Sequence, residues 1–356
     1  MMTHRERFLK AVKLQVQDRV PMFDFLFQEP MYEALIGHRP GAYNARDAIA
    51  LAKALDHDLV WVPFSGFTGF QPKRLDESAY IDEWGTMYRR NDASWPIDAP
   101  IDYPIKSRAD LAAYKPPDPT LPGRADELKQ AQHVESDHMA ISGGVLGPFT
   151  QAWMLMGYER ISFALYDDPG MLTDIFRISN EYWKEAARRC AATGVDAMWI
   201  SDELGDSHSG FVKLRHLREH YLPYLAELAE YIDGLGLPVL LHCCGRFRDY
   251  LPDLAQTKIA AIHPWQRTAG MDLRWAKENW GHRFCLIGNI DSSRTLPYGT
   301  PQDVEAEVKA AIDVAAPGGG YILASDHSLH DGISVENILT LSRVGREYGR
   351  AAYAKA

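Results

Sequence analysis

An alternation repeated along the whole chain constrains its fold most: short apolar runs rich in β-formers, each followed by a longer stretch with apolar residues at helical spacing. Strands are expected over residues 20–26, 59–63, 139–143, 197–200, 239–241, 260–262, 284–287 and 321–324, eight in all. Amphipathic helices are expected over 171–193, 214–235 and 304–315, where apolar side chains recur on one face. Gly194, Gly234 and Gly236 punctuate two of the helix ends, since glycine enters the left-handed conformation without a Cβ clash. Repeated strand-then-helix units predict an α/β fold with a parallel sheet, and eight of them suit a distorted (β/α)8 TIM barrel. At 356 residues the chain is long for one domain, but barrels run long. A single domain over 1–356 with an insertion at about 80–138 is expected.

Two stretches break the alternation. Residues 80–91 place Glu83-Trp84-Gly85 between alternating runs and read as a hairpin. Seven prolines between Pro96 and Pro122 then predict an extended excursion over the surface rather than a helix or central strand. Gly318-Gly319-Gly320 precedes a strand instead of linking strand to helix, so it is a turn and a poor phosphate loop.

Charge and composition exclude several functions. A formal net charge of −10 disfavours nucleic acid, whose phosphates demand concentrated lysine and arginine. No apolar stretch approaches membrane-spanning length, and the first residues lack the apolar core of a secretory signal, so a cytoplasmic enzyme is expected. Four cysteines are too few for a disulfide scaffold in a chain of this size and point to thiolate chemistry instead.

Chemically able side chains cluster where the strands end: Asp24 and Gln28, Asp202 and Glu203, His242 and Cys244, His263 and Gln266, Asn289 and Asp291, Asp326 and His327. A barrel carries its active site at that carboxyl end. In His242-Cys243-Cys244-Gly245, residues 242 and 244 project from one face of an extended chain, so an imidazole and a thiolate can meet one ion. Zinc is the commonest ion for that mixture, and His327 is a third candidate ligand. Buried cysteines and strand-end histidines are also common without metal, Asp202 suits a cap for the helix that follows it, and Cys243 on the opposite face suits packing.

The sequence resembles the uroporphyrinogen decarboxylase superfamily. The likeness rests on Arg5-Glu6-Arg7-Phe8 through Asp18-Arg19-Val20-Pro21, Asp82-Glu83-Trp84-Gly85, Gly147-Pro148-Phe149-Thr150, Tyr166-Asp167-Asp168-Pro169 and Gly318-Gly319-Gly320-Tyr321-Ile322-Leu323, in that order. It implies a distorted (β/α)8 barrel, often dimeric, with one of two chemistries. One branch decarboxylates uroporphyrinogen III without a cofactor; the other contains zinc methyltransferases that work with corrinoid proteins. The octa-anionic porphyrinogen needs arginines after the first strand, whereas residues 24–32 contain none and include Asp24 and Glu29. Phe25, Phe27, Met31 and Tyr32 suit a smaller apolar or aromatic substrate, or ordinary core.

The methyltransferase branch therefore fits better. It holds zinc with a His-x-Cys after the fifth strand, matched by His242 and Cys244, and a cysteine after the eighth, where this chain has His327. Two histidines and one cysteinate leave more positive charge on zinc, making it a stronger Lewis acid toward a methoxy oxygen. The resemblance thus implies a methyltransferase moving a methyl group between a small substrate, such as a methoxylated aromatic, and a corrinoid (cobalamin) on a separate partner protein. Glu203 would be a metal ligand or acid–base residue, with Asp202 and His263 as further catalytic candidates. Asp24, Phe25, Gln28, Gln266 and Asn289 would bind substrate, and Asp326 is a second candidate oxygen ligand. Transfer to a thiol remains open in the same barrel. Arg246 and Arg248, beside the ligand motif, leave open a decarboxylase of a smaller acid, and a non-catalytic ligand-binding barrel is the remaining alternative.

Overall fold

The computed structural model describes residues 1–91, 95–135 and 138–354. In chain order its strands are β1 Leu26–Phe27, β2 Leu59–Pro63, β3 Lys73–Arg74, β4 Ala79–Ile81, β5 Met87–Arg89, β6 Ala99–Asp102, β7 Ala140–Leu146, β8 Ala197–Ser201, β9 Val239–His242, β10 Ile259–His263, β11 Cys285–Ile290, β12 Tyr321–Ser325 and β13 Leu329–His330. Seven form one parallel sheet in the spatial order β12-β11-β10-β9-β8-β7-β2, a curled, TIM-like arrangement. Helices cover its outer face, so strands such as β11 and β12 are buried on both sides, which is why they read as continuous apolar runs. No helix among the described residues is long and apolar enough to cross a membrane.

The expected strand over 20–26 does not form as a regular ladder. Met22 makes an isolated parallel bridge to Leu323, and the Asp58 amide donates to the Met22 carbonyl. The segment therefore lies between β12 and β2 with few ladder bonds. Two residues explain this. Pro21 has no amide to donate, and the Ser325 amide is taken by the Asp24 carboxylate at 3.1 Å instead of a carbonyl. The chain then makes β1, which pairs with β13 in a separate parallel ribbon.

Elsewhere the expected elements form, with shifted ends. Helix Pro169–Ala191 starts behind an Asp168 cap that accepts from the Met171 amide. The stretch from Leu214 to Gly234 is continuous but contains a π-helical turn, Leu217–Tyr221. Gly194 (φ 87°) and Gly236 (φ 82°) follow these helices in the left-handed conformation, whereas Gly234 is the last helical residue.

The excursion begins earlier and is more ordered than its prolines suggest. The hairpin is present as β4 and β5, and its turn closes when Asp82 accepts from the Trp84 and Thr86 amides, both at 2.9 Å. It belongs to a four-stranded antiparallel sheet, β3-β4-β5-β6, with Pro100 confined to the edge strand. A helix, Arg108–Ala113, corrects the expectation of a purely extended segment. It fits the proline-free window between Pro104 and Pro116 and starts on a Ser107 side-chain cap.

Candidate functional site at the carboxyl mouth of the sheet

The strand register brings the metal-capable residues together. Ser201 of β8 stands opposite His242 of β9, and His242 opposite His263 of β10, so these strands end at one level. Cys244 turns its sulfur to the same side as His242, with Sγ 3.1 Å from His242 Nε2. Cys243 points the other way and is fully buried. From beyond β12, His327 reaches the same point, and one ligand atom from each of His242, Cys244 and His327 lies within 4.8 Å of the others. His327 Nδ1 is 2.9 Å from the Ser328 hydroxyl, which leaves its Nε2 for a cation. Glu203 and Asp326 do not join this cluster.

The surroundings oppose charge on any of these groups by themselves. Burial, then the nearby His327, pushes His242 down to about 3; burial and His330 lower His327. Burial, with the Glu203 carboxyl adding, drives the Cys244 thiol well above its ordinary range. Neutral imidazoles are what a metal requires, and a dication would reverse the penalty on the thiolate. Two nitrogens and one sulfur converging from the ends of two strands, β9 and β12, fit zinc with a fourth position open.

A cavity of about 440 Å³ opens beside the cluster. Phe25, Phe27, Trp61, Phe67, Trp153 and Tyr158 supply aromatic wall, and Tyr80, Trp84 and Tyr88 of the antiparallel sheet close its outer side. Asp202, Glu203, His242 and His327 border it. Among the described residues, no lysine or arginine does. The Tyr158 hydroxyl donates to Glu203 Oε2 at 3.0 Å, and burial outweighs that bond and raises the Glu203 carboxyl. Asp202 is more heavily occupied. It accepts from the Thr150 amide at 2.7 Å and the Tyr221 hydroxyl at 2.5 Å, with burial pushing it up to about 6. It caps not the helix that follows it but helix Pro148–Met156, much earlier in the chain, which has no side-chain cap of its own. Gly147 permits this approach, because a Cβ there would meet Asp202 Oδ2 at 2.0 Å.

The other expected site residues lie off the cavity wall. Asp24 binds the Ser325 amide and hydroxyl, with burial raising it to about 7. Gln28 donates to the Ile333 carbonyl, Gln266 accepts from the Gly245 amide at 2.8 Å, and Asn289 donates to the Trp265 carbonyl at 3.1 Å. These three fasten loops around the mouth. His263 stands behind His242, with Nδ1 to Nδ1 at 2.8 Å. Met31 and Tyr32 are core, the Tyr32 hydroxyl bonded to the Leu26 carbonyl. Arg248 stacks 3.7 Å over Trp275, and neither it nor Arg246 borders the cavity. Sequence reasoning missed Trp61, Phe67, Trp153 and Tyr158; the one local signal is Trp61 in the otherwise aliphatic strand Leu-Val-Trp-Val-Pro.

Comparison with known proteins agrees with this architecture. The uroporphyrinogen decarboxylase (URO-D) family model matches residues 97–348. The methylcobamide:CoM methyltransferase MtbA of Methanosarcina acetivorans is 23% identical over 332 residues, 90% of this chain and 93% of its own length. The uroporphyrinogen decarboxylase of Anaeromyxobacter dehalogenans is 26% identical over 248 residues, 67% of this chain and 68% of its own length. A methyltransferase structure from Methanosarcina mazei superposes with a TM-score of 0.75 at 20% identity, covering 98% of this chain and 99% of that one, and so shares the fold. With a family model spanning well over half of its length and enzymes of both chemistries among its relatives, the chain belongs to the uroporphyrinogen decarboxylase (URO-D) family of enzymes.

Proposed function

We propose that this protein is a zinc-dependent methyltransferase, moving a methyl group between a small, uncharged aromatic donor and the cobalt of a corrinoid on a separate protein. The observation that carries this reading is the convergence of His242, Cys244 and His327 beside an aromatic cavity. The likeness to the methylcobamide:CoM methyltransferases supports the corrinoid partner. Zinc held by these three residues would supply Lewis acidity that weakens a methyl–oxygen bond. The chain's own groups do the rest. The aromatic wall holds the ring of the donor flat and excludes water. Glu203, whose carboxyl burial shifts toward its protonated form, is placed to give a proton to the departing oxygen, and Tyr158 fixes the carboxyl through its hydroxyl. Residues 20–24 serve as the eighth stave, with the whole chain as one barrel domain.

A decarboxylase of the porphyrinogen type is supported by the matched relatives but not by the site, which among the described residues offers an anion no arginine or lysine on its wall. The deciding measurement is metal analysis with two product assays run in parallel. Purified protein should carry about one zinc per chain. It should methylate reduced corrinoid at the expense of an aryl methyl ether, releasing the phenol and no carbon dioxide. His242→Ala and Cys244→Ala should lose both metal and transfer; Glu203→Gln should keep zinc and lose about 100-fold in transfer rate. Zinc-free protein with undiminished activity, or carbon dioxide as product, would sink the reading.

A further inference from the structure

His242 and His263 face each other across the β9–β10 register, and their Nδ1 atoms are 2.8 Å apart. Two imidazole nitrogens at that distance share one proton, so one ring donates and the other accepts. The other nitrogen of His242, Nε2, is the one presented to Cys244 Sγ. A neutral imidazole that offers Nε2 to a metal keeps its proton on Nδ1. His242 is therefore the donor, Nδ1 of His263 the acceptor, and His263 carries its own proton on Nε2. The acceptor cannot turn away. His263 is fully buried and gripped edge-on by Phe25 (5.4 Å, 79°) and Trp199 (5.8 Å, 88°). It does not border the cavity, so it has no route to a bound substrate.

We propose that His263 is a positioning residue: it fixes the Nδ1-protonated tautomer and the ring orientation of His242 for metal binding. It takes the place that a carboxylate or a backbone carbonyl occupies behind most metal-bound histidines. The choice of an imidazole has a consequence. A carboxylate there would add negative charge behind the ligand, whereas neutral His263 accepts the same hydrogen bond and leaves the charge at the metal undiminished. The inference rests on the zinc reading above, and zinc uptake by the parent protein tests that reading separately.

Two variants of the full chain separate hydrogen bonding from packing. In His263→Asn the amide oxygen lies where Nδ1 was and can accept; His263→Phe keeps a ring of similar size and cannot. Zinc affinity is measured by competition with a chromogenic chelator, the coordination geometry by the visible spectrum of the cobalt(II)-substituted protein, and folding by thermal unfolding of the metal-free chain. The Phe variant should lose about 10- to 100-fold in zinc affinity and change the cobalt spectrum, while the Asn variant stays near the parent in both. A Phe variant that binds zinc like the parent overturns the proposal, as does equal loss in both variants, which would assign His263 to packing alone. If the Phe variant does not fold, the Asn variant decides by its spectrum: retention supports the proposal and loss overturns it. A parent protein that takes up no zinc overturns the zinc reading together with this one.

Discussion

Asp58 shows at the scale of one residue how the end of the barrel opposite the site is held. Its carboxylate, buried just before β2, receives Arg7 Nη1 at 2.5 Å, Arg19 Nη1 at 2.9 Å and the Met22 amide at 2.8 Å. Both guanidinium groups are themselves buried, at 6% and 3% exposure, so each depends on this carboxylate for compensation. Asp58→Asn should lower unfolding stability by about 3–5 kcal/mol in a denaturant titration. Zinc content should not change, because the residues proposed to hold zinc lie at the opposite end of the sheet. Acid should narrow the difference. Burial alone would raise the Asp58 carboxyl, but the His4 hydrogen bond, Arg19 and Arg7 outweigh it and hold it below the ordinary value. Its contribution is therefore complete above about pH 4, the value in the unfolded chain, and is lost as pH falls through the lower folded value. The gap between parent and variant should narrow as the pH falls below about 4; a gap that stays constant would remove Asp58 as its source.

Among the elements, the antiparallel sheet β3–β6 borders the cavity and is anchored in part by a buried ion pair. Glu83 in the hairpin turn binds Arg124, which also donates to the Ser65 hydroxyl at 2.9 Å and lies 4.5 Å over Phe70. Arg124→Ala would leave Glu83 buried without a cation, the Phe70 amide still donating to it, a local cost of about 3–5 kcal/mol. Amide hydrogen exchange over residues 73–102 should accelerate while that of β8–β12 stays slow; equal acceleration in both would mean that the sheet is not a separate unit. The hairpin was legible in sequence because alternation and Gly85, at φ 87°, specify it locally. Helix Arg108–Ala113 was not, because its six residues are hidden among prolines that suggest extended chain. The strand over 20–26 was over-read: its composition is right, but Asp24 takes the Ser325 amide that a ladder would need. The strand ends disclosed the candidate ligands, since period two puts 242 and 244 on one side wherever the strand stops. The cavity wall stayed hidden. Trp61, Trp153 and Tyr158 come from separate elements, and nothing local distinguishes an aromatic facing a cavity from one facing the core.

Over the whole molecule, charge decides what can enter. The chain carries a formal charge of −10, and its cavity is bordered by Asp82, Glu83, Asp98, Asp202 and Glu203 and, among the described residues, by no lysine or arginine. Glu83 is neutralised by Arg124 behind the wall, and burial raises Asp82, Asp202 and Glu203, so the interior is closer to neutral than the count of acids suggests. An anion entering it would lose water and gain no cationic side chain, which costs several kcal/mol even when partly offset. A neutral methoxyarene meets the aromatic faces without that cost. In calorimetry with zinc-loaded protein, methoxybenzene derivatives should therefore bind at least about tenfold more tightly than the matching methoxybenzoates, a difference of about 1.4 kcal/mol. Salt separates the two sources of that preference. Repulsion from the surface is screened beyond about 8 Å at physiological ionic strength, whereas the desolvation penalty inside the cavity is not. The discrimination should persist at about 0.5 M salt if the cavity wall sets it and collapse if the net charge does. Methoxybenzoates that bind as tightly as the neutral ethers at every salt concentration would mean that a cation reaches the ligand, and the lone candidate at that wall would then be the metal itself, held by His242, Cys244 and His327.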